Sequence, residues 1–208
     1  TPHATLYSAI LREIAAYEID GVFVDMTFWP QVCYCPHCVA RYRKEKGLEP
    51  PRWVNWDDRN WRGFQKARQA WMLEFVQELT DTARSVRPVT VNHQFSTLLN
   101  GWPLGQPTEI ASACDYVGGD FYGGPAAYSL ACKAFYGLSR RQPFEYHTTR
   151  TPRPNEHVTT KTLEELRVEA HVATLHCGAL CFIDGINPDG TLEPQIYRMF
   201  GELNKERA

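Results

Sequence analysis

Several polar residues sit at the ends of short apolar runs in this sequence. Asp25 follows GVFV, Asn92 and His93 follow VTV, Asp120 follows YVGG, Glu145 and His147 lie within FEYHT, and Asp184 follows ALCFI. Each run is short and rich in β-branched or aromatic residues, the composition of a buried strand. In parallel α/β folds, function gathers at the C-terminal ends of the strands. Four of the five runs carry an acid there, which is what cleavage of a glycosidic bond requires. One carboxylate attacks or stabilises the oxocarbenium-like centre, while a second, kept protonated by its surroundings, assists the leaving group. Asp25 and Glu145 are the candidate pair and Asp120 a further candidate. Acids at strand ends also serve simply to cap the following turn.

Aromatic residues lie just past the same tips: Phe28, Trp29, Trp102, Phe121 and Tyr122. Flat rings with polar rims suit the apolar faces of a sugar, with packing on the rim of the fold as the alternative. Asn92, His93, His147 and Asp184 are candidate partners for sugar hydroxyls, and His147 could instead satisfy a buried neighbour. Cys33, Cys35 and Cys38 form a Cys-x-Cys-x-x-Cys cluster. Three thiolates this close can converge on one Zn2+, which takes four tetrahedral ligands. The fourth is not local, since His37 would have to fold back between two of the cysteines, and an upstream cysteine is the better candidate. A disulfide between two of the three is the rival reading. Any metal here is expected to be structural, with no cofactor for catalysis. A zinc-dependent hydrolase built on this loop is a separate reading.

The elements that must position these groups alternate along the chain. Leu6, Ile10, Ile14 and Tyr17 form a helical stripe over residues 5–18, and VFVD follows as a strand. A short helix near 39–46 precedes a segment rich in proline and tryptophan, and a long helix runs from about Phe64 to Val86. Its apolar face carries Phe64, Ala67, Trp71, Phe75, Leu79 and Ala83. Val89 to Val91 is the second strand and Tyr116 to Gly118, leading into Asp120, the third. Gly124-Pro125 opens a helix, with proline at a favoured first-turn position. Phe144 to Thr148 is the fourth strand. Thr162 and Glu165 read as a capping box for a helix to His176. Ala179 to Ile183 is the fifth strand, and Ile196, Met199, Phe200 and Leu203 line a final helix.

Strand–helix alternation of this kind implies parallel crossovers in an α/β fold. A (β/α)8 TIM barrel is the favoured architecture, present as a fragment cut before its third helix and carrying strands four to eight. A five-stranded doubly wound sheet is the alternative. Residues 1–208 read as a single partial barrel domain with a cysteine-rich loop insertion at about 26–61.

The 208 residues are 43% hydrophobic, enough for a sizeable core. Twenty-two basic and 24 acidic residues give a net charge of -2 without a concentrated basic surface, which argues against a nucleic-acid partner. The basic run Arg41 to Lys46 reads as a solvated helix face. No stretch reaches the roughly 20 apolar residues of a membrane span. Of seven cysteines, Cys114, Cys132, Cys177 and Cys181 read as buried free thiols.

The runs DGVFVDMTFWPQVCYCPHCVARYRKEKG, PVTVNHQ, GGDFYGG, FEYHTTR and HCGALCFIDGINPDGTL resemble glycosyl hydrolases of the "hypothetical glycosyl hydrolase 6" type. That group includes the α-L-fucosidases of glycoside hydrolase family 151. The chain is more distantly similar to family 42 β-galactosidases. In that family a matching Cys-x-Cys-x-x-Cys follows the fourth barrel strand and binds structural zinc with one more cysteine from upstream. The resemblance implies a (β/α)8 barrel, a retaining mechanism and a carbohydrate substrate. It also implies, through a trimerisation-type domain that often follows, a homo-oligomer. Family 42 ends its fourth strand in Asn-Glu. Here that strand ends Val24-Asp25, as in fucosidase-type barrels with an aspartate nucleophile. The resemblance therefore implies Asp25 as nucleophile and Glu145 as acid/base, with Asp120 as substitute and the reversed assignment open. A β-galactosidase-like hydrolase and a non-catalytic carbohydrate-binding barrel are the other readings. Zinc-binding cysteines would favour the reducing cytoplasm.

Overall fold

The computed structural model describes residues 2–95, 99–153, 156 and 158–207, and divides into two compact units, Thr1–Asp115 and Tyr116–Ala208. The first contains α1 (Pro2–Ala15), β1 (Gly21–Val24), α2 (Pro36–Lys46), α3 (Arg59–Val86) and β2 (Thr90–His93), followed by 3-10 turns that include Trp102–Leu104 and Thr108–Ser112. β1 and β2 run parallel, with Phe23 opposite Asn92 and Val24 opposite His93. They approach closely at their start: a Cβ on Gly21 would lie 2.3 Å from the Thr90 hydroxyl oxygen, so only glycine fits. Because strand residues alternate between faces, Val22 and Val24 point to the helices and pack with Leu11 and Leu79. Asp58 opens α3 by accepting the Asn60 amide, a polar N-cap.

The α1 face expected inside is outside. Leu6, Ile10 and Ile14 are exposed, and Tyr17 lies past the helix end. Ala4, Leu11 and Ala15 are buried instead, with Tyr7 edge-on to Phe75. Two of these contacts are alanines, which let α1 come close to α3, and small residues carry little weight in a hydrophobic-stripe reading. The α3 face reads as expected, with Phe64, Ala67, Trp71, Leu79 and Ala83 buried. The helix begins five residues earlier than expected and takes in Trp61.

The second unit contains β3 (Gly118–Asp120), α4 (Pro125–Leu138), β4 (Glu145–Thr149), α5 (Leu163–Leu175), β5 (Ala179–Ile183) and α6 (Pro194–Arg207). Its three strands form one parallel sheet in chain order, each joined to the next by a helix, which is the βαβ arrangement. The Thr162–Glu165 capping box is present in full. Leu166, Ile196, Phe200 and Leu203 pack α5 against α6. Cys114 and Cys132 are buried, but Cys177 and Cys181 are exposed, contrary to expectation. Cys177 sits in the turn after α5, and strand alternation puts Cys181 on the side of β5 away from Phe182, which stacks on α6 through Phe200. Among the described residues the strands pair as two parallel sheets, a mixed α/β architecture, without a hydrogen-bonded barrel closure.

Candidate functional site

The second unit brings three candidates together. Asp120, the last residue of β3, is in register with His147 on β4 and Cys181 on β5, so all three point to the same face of the sheet. Glu145 shares that face two residues earlier on β4. The His147 ring joins the two carboxylates, with Nε2 3.1 Å from Glu145 and Nδ1 3.5 Å from Asp120. Only 7% of the His147 side chain is exposed. Burial by itself would push its pKa down, but the hydrogen bonds to Asp120 and Glu145 outweigh this and lift it to about 9. At neutral pH the site is therefore an imidazolium held between two acids. The Phe121 amide, which donates to the His147 carbonyl at 3.0 Å, locks the two strands together beside it.

One expected placement changes. Glu145, expected among the strand-end residues, opens β4, and Thr149 is at its tip. At about 3.3 Å per residue, Glu145 lies roughly 13 Å below that tip. The expected strand, Phe144 to Thr148, lies within one residue of β4 at each end, and that range already puts Glu145 near the start. Asp120 is the acid at a C-terminal strand end on this face.

On the other face of the same sheet lies a buried polar cluster with no obvious signature in the sequence. Lys161 Nζ is 2.9 Å from Glu169, both nearly sealed from solvent, and also contacts the Thr148 hydroxyl at 3.0 Å. Tyr128 donates to Glu169 at 2.8 Å. Phe121 belongs to this side, stacked on Tyr146 at 4.9 Å and edge-on to Phe135. It is core, whereas Tyr122, one residue on, is exposed. Asp184 is nearly buried and engaged, accepting from Arg150 Nε and from the Gly185 amide. It ties the end of β5 to that of β4.

In the first unit Asp25 follows β1 directly and is exposed, with one carboxylate oxygen accepting the Met26 amide at 2.8 Å. Met26 has φ of 59°, an uncommon conformation for a side chain of that kind and a local strain next to the candidate acid. Two glutamines that the sequence reading passed over hold this loop. The Gln94 side chain also accepts the Met26 amide, and Gln106 donates to the carbonyls of Thr27 and Gln94. Asn92 is buried on the strand face shared with Phe23. His93 points the other way, toward α3, with Nε2 2.9 Å from the Thr80 hydroxyl. Burial and the nearby Arg84 guanidinium press its pKa down to about 3, so it is neutral. Trp29 is half-buried, donates from Nε1 to the Arg68 carbonyl and packs against the Tyr42–Phe64–Trp71 core.

The three cysteine sulfurs of Cys33, Cys35 and Cys38 all lie within 4.8 Å of one another. That convergence fits one tetrahedral thiolate-preferring cation, whose metal–sulfur bonds are about 2.3 Å. Among the described residues no fourth His, Cys, Asp or Glu joins them. Burial and the neighbouring thiols raise the Cys38 pKa, while the Cys38 backbone amide heads the causes that lower that of Cys35. The loop is pinned by Val32, Tyr34 and Cys38 against the α2–α3 core, and the Tyr34 hydroxyl donates to the Pro51 carbonyl at 2.7 Å. All three cysteines line a cavity of about 910 Å3 whose walls also include Trp29, Met72 and Glu78.

No family model and no curated protein matches the chain. Its structure is similar to the glycoside hydrolase domain of PgaB (BpsB) from Bordetella bronchiseptica, with a TM-score of 0.60 at 14% sequence identity. The match covers 90% of this chain and 59% of that one, so the present chain spans well under two thirds of its neighbour. At this identity the likeness is one of fold.

Proposed function

We propose that this chain carries the catalytic part of a glycoside hydrolase that releases a terminal sugar, α-L-fucoside-like, by a retaining two-carboxylate mechanism. The observation that carries the reading is Asp120 at a strand end, bonded to a charged His147, in a fold similar to that of a glycoside hydrolase domain.

Two carboxylates are assigned roles, each from its own surroundings. Asp25, exposed in a strained and hydrogen-bonded loop, is the nucleophile. Asp120 takes precedence over Glu145 as acid/base, because Glu145 starts its strand rather than ending it. In the first step Asp120 protonates the glycosidic oxygen with a proton drawn from the His147 imidazolium, and the carbon–oxygen bond breaks with its electron pair going to the leaving group. The nucleophile then bonds to the anomeric carbon. In the second step Asp120 takes a proton from water, which displaces the enzyme carboxylate, and a proton returns to His147. His147 stores the proton of the cycle, held between Asp120 and Glu145. Cys33, Cys35 and Cys38 are assigned to a structural zinc, which would brace the loop that begins at Asp25.

The test is hydrolysis of aryl α-L-fucoside and aryl β-galactoside by the full-length protein. Asp25→Asn and Asp120→Asn should each abolish release of the chromophore, and Glu145→Gln should retain more activity than Asp120→Asn. Full activity in Asp25→Asn rules out the assignment, and absence of turnover on any glycoside favours a carbohydrate-binding protein.

A further inference from the structure

The loop between α2 and α3 displays tryptophan in a way a folded chain rarely does. Trp53 is 85% exposed, Trp56 47% and Trp102, on the 3-10 turn Trp102–Leu104 after β2, 37%. Trp56 and Trp102 are in ring contact and Trp53 lies three residues before Trp56 on the same loop. Large apolar side chains left this open mark a surface that meets something. Trp56 and Trp102 stand edge to face at 5.5 Å, and both lean on the fully buried Trp61 at 6.1 and 5.4 Å. Among the described residues the buried Trp61 indole N–H has no hydrogen-bond partner.

This surface is built rather than frayed. Asn55 accepts the Asp57 amide through its side chain and the Asp58 amide through its carbonyl, and Arg62 donates to the Trp56 carbonyl. The Gly105 amide closes the Trp102 turn. The same turn joins the candidate catalytic loop, because the Trp29 amide donates to the Leu104 carbonyl at 2.9 Å. Rings fixed before binding lose little entropy when a ligand stacks on them. The flanking charges Arg52, Asp57, Asp58 and Arg59 are balanced in sign. Asp58 is already committed to the α3 cap, and the Arg52 guanidinium lies 4.3 Å over the Tyr34 ring. Such a rim offers hydrogen bonds without a net field and favours an uncharged ligand over a polyanion or polycation.

We propose that Trp53, Trp56 and Trp102 form a stacking surface for a neutral polysaccharide, so that the site engages a longer glycan than the terminal sugar alone. The link to turnover rests on the hydrolase reading, but binding does not.

The experiment is native affinity electrophoresis of the full-length protein in gels containing xylan, laminarin or galactomannan. The wild type should be retarded by at least one of them. Trp53→Ala and Trp56→Ala should each weaken that binding about tenfold or more, as expected for exposed aromatic anchors. Trp53 makes so little of the core that its variant should keep the wild-type melting temperature and aryl-glycoside rate. No retardation in any gel, or equal retardation of wild type and variants, overturns the proposal. So does a dimer in size-exclusion chromatography that Trp53→Ala dissolves, which would make the patch a protein interface. Tryptophan-dependent retardation without aryl-glycoside turnover leaves this surface standing and removes the hydrolase reading. Turnover by a protein that no gel retards does the reverse.

Discussion

Replacing His147 with glutamine should flatten the alkaline side of the stability profile. The imidazole pKa is 6.5 in an unfolded chain and about 9 in the fold. Between those values the folded state holds a proton that the unfolded state has released, so stability falls as pH rises. The contribution of His147 is fully present below pH 6.5 and is gone above pH 9. The interval corresponds to at most about 3.5 kcal/mol at roughly 1.4 kcal/mol per pH unit. Asp120 and Glu145 are 24% and 33% exposed, so solvent screening reduces the expected loss to about 1–3 kcal/mol. Urea denaturation at intervals from pH 6 to pH 9.5 measures this directly, with the His147→Gln profile showing a shallower slope than wild type. NMR titration of the imidazole should place its midpoint near 9. A midpoint near 6.5, or parallel profiles for wild type and variant, would refute the bridged-imidazolium argument.

Lys161→Met should cost about 3–5 kcal/mol in chemical denaturation because it strands the Glu169 carboxylate in the interior, and adding Glu169→Leu should recover much of that loss. Phe121→Ala should also cost about 3–5 kcal/mol, since the ring is stacked in the core, whereas Tyr122→Ala should cost much less. Elemental analysis should find one zinc per chain, and chelation should lower the melting temperature while leaving the rate intact wherever the chain remains folded. A mass lower by two hydrogens with no bound metal would replace the zinc with a disulfide.

The order of strands and helices was legible because it depends on local periodicity, turn residues and caps. Phe64 to Ala83 announces its buried face, Thr162–Glu165 its cap, and ALCFI its strand. The convergence of the three cysteines was equally local, because six residues of chain cannot carry them far apart. Other features depended on neighbours distant in sequence. The buried face of α1 was decided by how closely alanine lets it approach α3, and the strand register decided which polar residues share a side. His93 and Phe121 turned toward the helices, while Asp120, Glu145 and His147 met on the opposite face of the second sheet. A one-residue slip in pairing register moves every side chain of a strand to the other face, and no local pattern in VTVNH or FEYHTT says which neighbour each strand pairs with or in what register. The sequence by itself therefore determined which acids, aromatics and thiols were available and roughly where along the alternation they fall. Only tertiary pairing decided that His147 is charged, that Asp184 is tied to Arg150, and that tryptophans 53, 56 and 102 stand in solvent. Charge state and exposure are set by what lies across the fold, and that is not encoded within any one segment.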